Sequence, residues 1–252
     1  TVQQVQGVAA LLRGGRPDGS VVLEPTATLD AFLRMQPGER RDTVSYVRYT
    51  AAGEPADTLA TLPDRELLAS REGTRISQQT VLFGRDSYFA AGAGRAFAGE
   101  SDAYRIDAFD GNGRRVMSIR RTLAPRAPTR SEVQRARAAA EARRRDTEAQ
   151  VARITGGTLA PGELRDVPAR PTVPAFDQLA VDPEGNLWVR DYQADATQSA
   201  RWQVFDPAGR WLGGVDLPPG LLVYQIGSDW ILGRVRDELE VEYVRLHRLV
   251  RN

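Results

Sequence analysis

Hydrophobic and polar residues alternate along most of the chain in short runs separated by turn residues, a pattern typical of β-strands. Three segments share one arrangement, in which an alternating strand ends in an aromatic residue and is followed by Thr or Asp, two turn residues and glycine. These turns lie at Tyr49–Gly53, Phe109–Gly113 and Phe205–Gly209. Asp or Thr can accept a backbone N–H there, and glycine supplies positive φ at the exit. Each segment is therefore predicted to form a β-hairpin.

A second kind of hairpin, with two short apolar strands around a tight turn, is predicted beside the first. The strand pairs are Leu179–Val181 with Leu187–Val189, Val223–Ile226 with Trp230–Leu232, and Val81–Phe83 with Tyr88–Ala90. Two hairpins make four strands in about 40 to 50 residues, the size of a propeller blade. Four such units are predicted, at roughly 1–63, 64–122, 171–218 and 219–250. In the last unit the alternation changes parity between Tyr243 and Val244, which predicts a bulge.

One unit resembles a known family. Residues 182–189 read DPEGNLWV and residues 204–209 read VFDPAG, and together they resemble a blade of the bacterial six-bladed propellers of the NHL and TolB-like kind. The resemblance implies an all-β fold, a β-propeller of four-stranded antiparallel blades. Only four units are visible, so the first blades are degenerate or absent, or the propeller is incomplete. A β-sandwich is the alternative architecture.

The predicted domain organisation is a single propeller-like domain over 1–252. A helical insertion at about 123–170 separates the blade units 64–122 and 171–218. Thr129 and Glu132 have the spacing of a capping box at the start of this helix.

Arginine is concentrated in and near the insertion. The chain has 34 basic residues, all arginine, against 33 acidic residues, for a net charge of +1. Residues 105–153 carry thirteen arginines and six acids, so this stretch has a charge of +7 and the remainder −6. The predicted interaction surface consists of Arg130, Arg135, Arg137, Arg143, Arg144 and Arg145. These side chains either pair with acids of the chain itself, or form a docking surface for an acidic protein or anionic lipid headgroups. Nucleic acid is not expected, because no aromatic residues interleave with the arginines.

Residues for catalysis are few. The chain has no cysteine, and His247 is its single histidine. This composition excludes disulfides, thiolate nucleophiles and sites with several histidines. His247 is expected to be structural, and no residue is assigned to catalysis, a metal or a cofactor. We therefore expect that the chain is not an enzyme. Asp177 and Asp229 occupy similar places in their units, which leaves an alternative: a small-molecule-binding or hydrolytic propeller with a divalent metal held by carboxylates.

The expected function is that of an interaction subunit. The chain begins at Thr1, so we expect a processed chain or part of a longer one, and no apolar run is long enough to span a membrane. The absence of cysteine suits an oxidising compartment. The sequence thus predicts a non-catalytic, extracytoplasmic (periplasmic) propeller that serves as an accessory or structural subunit. The expected partner is a protein, and a membrane-bound respiratory or photosynthetic assembly is the kind of complex considered, with peripheral contact to anionic lipid.

Overall fold

The chain is mostly β-structure. A computed structural model describes residues 10–16, 18–26, 28–72, 75–155, 167–195, 197–237, 239 and 241–250. Within these ranges the elements are β1 (Ala10–Gly15), β2 (Val21–Pro25), α1 (Leu29–Leu33), β3 (Gly38–Arg40), β4 (Thr43–Tyr49), β5 (Pro55–Pro63), β6 (Leu67–Glu72), β7 (Arg75–Thr80), β8 (Ser87–Gly92), β9 (Arg95–Glu100), β10 (Arg105–Phe109), β11 (Arg115–Arg120), α2 (Arg130–Thr155), β12 (Phe176–Val181), β13 (Leu187–Asp191), β14 (Ala200–Phe205), β15 (Trp211–Leu217), β16 (Leu222–Ile226), β17 (Trp230–Arg236) and β18 (Glu242–Arg248).

Four sheets follow one another along the chain as propeller blades do. Three have four antiparallel strands, in the orders β1-β2-β4-β5, β8-β9-β10-β11 and β12-β13-β14-β15. The fourth sheet has three strands, β16-β17-β18, and a small separate sheet is formed by β3-β6-β7. The first strands of consecutive sheets pack together, β1 with β8, β8 with β12 and β12 with β16. The predicted all-β class, with four-stranded antiparallel blades and one inserted helix, is confirmed.

Apolar side chains fill the spaces between consecutive sheets. Val22 and Leu59 of the first sheet pack with Ala96 of the second, and Ile106 of the second packs with Phe176 of the third. The third and fourth sheets meet in a cluster that includes Trp188, Trp202, Val223, Ile226 and Ile231. Each of these sheets is thus held by burial of its faces against its neighbours.

The predicted hairpin turns are present with the predicted hydrogen bonds. Asp110 and Asp206 each accept backbone N–H groups from the residues two and four positions ahead, at 2.9 to 3.0 Å. Gly113 and Gly209 follow with φ of +75° and +80°, a conformation that favours glycine. A Cβ at Gly209 would also lie 2.7 Å from Met117 Sδ. The repeated Asp and Gly therefore have a local structural role.

The hairpin predicted from residues 81–90 is wrong. Leu82 instead makes a parallel bridge with Ala169, and Phe83 has a positive φ of 54°. Strand β8 pairs with β9 around Ala93 and Gly94, which both have positive φ, as a tight two-residue hairpin requires. Strands β6 and β7 belong to the small sheet rather than to the second blade. The unit boundaries drawn from the sequence stay a prediction.

The bulge predicted near Val244 is also wrong. Strands β17 and β18 pair without interruption from Trp230–Arg248 to Arg236–Glu242. The change of parity arises because Leu239 and Val241 lie in the turn before β18, where their N–H groups bind Asp237 Oδ1 at 2.9 Å.

The helix α2 lies between β11 and β12, inside the predicted insertion. The capping box is confirmed, because Glu132 N donates to Thr129 Oγ1 at 3.2 Å and Thr129 N donates to Glu132 Oε2 at 2.6 Å. Val133, Ala136 and Ala140 pack against a cluster that contains Leu82, Phe83 and Val167. Neither helix in the described ranges is long and apolar enough to cross a membrane.

Candidate interaction surfaces

The third strand of the fourth sheet is exposed where its counterparts are covered. In the four-stranded sheets, β4, β10 and β14 are hydrogen-bonded on both sides, and each leaves one residue exposed. In the described parts of the chain β18 pairs only with β17, and six of its seven residues are exposed. The fourth sheet therefore ends in an open edge at the position where the other sheets carry a fourth strand.

The hydrogen bonds beside β18 establish which of its backbone groups have no partner among the described residues. Leu249 N donates to Asp229 O at 2.7 Å, and Asp237 N donates to Val241 O at 3.1 Å. Because the register between them is continuous, hydrogen-bonded pairs recur at every second residue. Backbone groups that face β17 belong to Tyr243, Arg245 and His247. Backbone groups that face the open edge belong to Glu242, Val244, Leu246 and Arg248.

The same four residues lie on the face of the fourth sheet that points away from the third sheet. His247 is opposite Ile231, which is 2% exposed in the core cluster with Trp188, so odd-numbered positions of β18 lie on the inner face. Val244 and Leu246 lie on the outer face and are 71% and 67% exposed. Exposure of two aliphatic residues that are neighbours on one face of an edge strand is unusual, because such an edge can pair with another chain.

Charges lie at both ends of this apolar pair. Glu242 accepts hydrogen bonds from Arg234, and from Arg236 Nη2 at 2.8 Å. These two guanidinium groups, that of Arg234 first, lower the pKa of Glu242. Arg248 is exposed at the other end of the strand. The outer face of β18 thus carries Glu242, which is already paired with two arginines of β17, then two aliphatic residues and then Arg248.

The arginines predicted as an interaction surface are distributed along α2. Arg144 pairs with Glu148 at 2.9 Å, Arg145 with Glu141 at 3.1 Å, and Arg135 with Asp195 at 3.6 Å. Arg130, Arg137 and Arg143 are exposed. The structure therefore combines both interpretations of this helix, with local ion pairs and exposed cationic side chains, and the docking surface stays a prediction.

A cavity of about 670 Å³ lies between the segments 102–104, 121–126, 172–175 and 191–192. Tyr104, Arg121 and Asp191 line it, with Arg121 Nη1 3.9 Å from Asp191 Oδ1. Tyr104 Oη and Asp191 Oδ1 are buried without a hydrogen-bond partner among the described residues. Burial raises the pKa of Tyr104. These groups could hydrogen-bond a polar ligand, but the loop 121–126 that forms one wall is exposed.

The two aspartates considered as metal ligands have different surroundings. Asp177 accepts a hydrogen bond from Arg190 Nε, and burial raises its pKa despite that guanidinium. Asp229 is exposed at the turn between β16 and β17. In the described ranges no three His, Cys, Asp or Glu residues come together as metal ligands. His247 lies on β18, and its Nε2 is buried without a hydrogen-bond partner among the described residues.

The sequence did not identify Val244 and Leu246 as surface residues. Their alternation predicts a strand, but nothing local shows that no neighbour covers it. The one usable signal was length, since the last predicted unit, 219–250, is shorter than the others.

Comparisons with known proteins show no family for this chain. No family model matches, and no curated protein matches. Three solved structures are similar over most of the chain: a eukaryotic initiation factor (TM-score 0.36, 10% identity, 96% of this chain), a luciferin-regenerating enzyme (0.32, 14%, 93%), and a calcium-binding protein, regucalcin, from Agrobacterium tumefaciens (0.30, 10%, 92%). The chain spans 52%, 58% and 70% of those chains. At these TM-scores the similarities add nothing to what the sheets show about the fold.

The expectation that the chain is not an enzyme requires correction. It was based on residue types that the chain lacks, and one of the structures that it resembles is an enzyme by its title. Carboxylate, tyrosine and arginine side chains can perform catalysis without cysteine or several histidines. The TM-score of 0.32 assigns no reaction to this chain.

Proposed function

We propose that the chain is a protein-interaction subunit on a propeller-type fold, and that it joins a larger assembly through its fourth sheet. The observation that carries the proposal is the exposure of β18 at six of seven positions, where the third strands of the other sheets are covered.

The energetics favour covering this surface. Burial of a valine or leucine side chain contributes about 1.5–3 kcal/mol, and Val244 and Leu246 are mostly exposed. Leu222, at 41% exposure, lies on the same face two strands away, because it pairs with Arg234, which in turn is opposite Val244. A protein that covers this face and pairs with the edge would gain both apolar burial and backbone hydrogen bonds.

The remaining elements of the proposal rest on the sequence. An extracytoplasmic location, an NHL-like family and a role beside a membrane-bound complex are expectations from the absence of cysteine and from the blade pattern. The exposed Arg130, Arg137 and Arg143 of α2 would provide a second contact with an acidic protein or with anionic lipid.

Affinity capture from the native cells tests the proposal. The tagged full chain is compared with Leu246→Arg, which places a charge on the outer face, and with Val116→Arg as a control. Val116 is a similarly exposed aliphatic residue, at 48%, on β11 of the second sheet. We expect a stoichiometric protein partner with the wild type and the control, and its loss with Leu246→Arg. Recovery of the chain alone and monomeric, or retention of the same partner by Leu246→Arg, would contradict the proposal.

A further inference from the structure

We propose that β18 pairs with the β18 strand of a second copy of this chain, antiparallel, about a twofold axis beside Arg245. The inference rests on the proposed function, because it names an occupant for the same open edge.

The backbone groups restrict the possible registers. Free N–H and C=O groups occur at the even-numbered residues of β18, so even-numbered residues of both copies must be opposite each other to exchange hydrogen bonds. A twofold antiparallel pairing that keeps most of the strand paired can therefore be centred at residue 244, 245 or 246. Only the register centred at 245 uses all four free residues, which are Glu242, Val244, Leu246 and Arg248.

The side chains favour the same register. Centred at 245, it places Glu242 opposite Arg248 of the second copy and Val244 opposite Leu246, and the symmetry repeats both pairs. Centred at 244 it would place Glu242 opposite Leu246, and centred at 246 it would place Val244 opposite Arg248. Opposite charges and aliphatic pairs across strands are stabilising. The register therefore pairs aliphatic with aliphatic side chains, and it places Glu242, already bound by two arginines of its own copy, beside Arg248 of the second copy. This self-complementary order of polarity favours a second copy over an unrelated strand.

One pair in this register is unfavourable. Arg245 would lie opposite its own copy on the inner face, and like charges directly opposite are destabilising. Replacement of Arg245 by threonine is consequently expected to strengthen the dimer, by about threefold in the association constant. A general loss of surface charge elsewhere would not produce this gain.

Sedimentation velocity on the purified full chain at about 100 µM tests the dimer. We expect a species of twice the 27.7 kDa chain mass. Val244→Pro removes a free-edge N–H and none that faces β17, so it should abolish the dimer while the circular dichroism spectrum stays unchanged. Val116→Arg, on another sheet, should leave the dimer intact. A dimer that survives Val244→Pro would overturn the inference.

Charge exchange tests the register itself. Glu242→Arg places two arginines opposite each other beside Arg234 and Arg236, so this variant alone should be monomeric. Arg248→Glu places two glutamates opposite each other, and because Arg234 and Arg236 lie beside them, its homodimer should be weakened rather than lost. Mixed together they restore opposite charges at both ends and should form a heterodimer. Recovery on mixing also shows that both variants are folded. A homodimer of Glu242→Arg, or a mixture that stays monomeric although the wild type is dimeric, would refute the register.

The outcomes separate this inference from the proposed function. A monomeric wild type that still captures another protein, with loss in Leu246→Arg, overturns the dimer and leaves the interaction role standing. A monomeric wild type that captures nothing overturns both.

Discussion

The turn between β12 and β13 contains a buried carboxylate whose removal should be costly. Asp182 is 1% exposed. It accepts the Asn186 backbone N–H at 2.8 Å, the Asn186 side-chain amide at 2.8 Å and the Trp188 indole N–H at 3.1 Å. Asn186 and Trp188 are themselves 6% and 2% exposed. Asp182→Ala would leave these donors buried without an acceptor.

The expected cost follows from the number of stranded donors. A buried donor left unsatisfied costs about 1–3 kcal/mol, so three donors, partly relieved by water that enters the vacated space, give a loss of about 4 kcal/mol in the free energy of unfolding. Asp206→Ala is the matched control in the next hairpin of the same sheet. The acceptor removed there serves the N–H groups of the exposed residues Ala208 and Arg210, which water can reach, so about 1 kcal/mol is expected.

Urea unfolding followed by tryptophan fluorescence measures both variants. The comparison requires equal m values, which show that the same surface is exposed on unfolding. Equal destabilisation by the two substitutions, or a loss below about 1 kcal/mol for Asp182→Ala, would show that burial of these donors does not determine the stability of the turn.

Three further predictions concern other parts of the molecule. Gly209→Ala should lower the free energy of unfolding by about 3 kcal/mol, because positive φ and a close contact both oppose the new Cβ. The control Gly53→Ala, with φ of +85° but nothing within 4 Å of a new Cβ, should lower it by about 1 kcal/mol. Equal losses of stability in the two variants would refute the packing contribution at Gly209. The hydrogen bond from Arg126 is the first cause that lowers the pKa of Glu132 to about 2 from an ordinary value of 4.5. The stabilisation of the folded protein by ionised Glu132 is therefore complete above about pH 4.5 and is lost as the pH falls towards 2. Helical circular dichroism of Glu132→Gln should change less than that of the wild type over this window, and an identical profile would contradict the prediction. Arg143→Glu with Arg145→Glu should weaken cosedimentation with phosphatidylserine vesicles about tenfold at low salt; unchanged binding would contradict a lipid-docking role for the helix.

Comparison of particular elements shows where sequence-based prediction succeeds. The capping box at Thr129 and Glu132, and the turns at Asp110 and Asp206, were predicted because their hydrogen bonds join residues only two to four positions apart. The structure of the segment 81–90 was predicted wrongly, because Leu82 pairs with Ala169, a residue far along the chain. Trp211 shows the same limit, since nothing in the local sequence indicates that this large apolar side chain is 61% exposed.

The two candidate surfaces, the arginines of α2 and the edge of β18, also differ in how far the sequence predicts them. Arginine content and helix formation at α2 are local properties, so the sequence identified that surface, although not the ion pairs that occupy part of it. The open edge at β18 is a property of pairing, and it was visible only when the strands of each sheet could be compared. Its residues alternate like those of any half-buried strand.

The sequence by itself determined the strand-and-turn units, the chemistry of their turns and the charged helix, since each depends on contacts within a few residues. The tertiary structure alone decided which strands share a sheet, which apolar faces are covered and which of them is left open. Burial depends on neighbours that are distant in the chain. Val244 and Leu246 resemble core residues in the sequence, but they are surface residues because, in the part of the chain that the structure describes, the fourth sheet ends at β18.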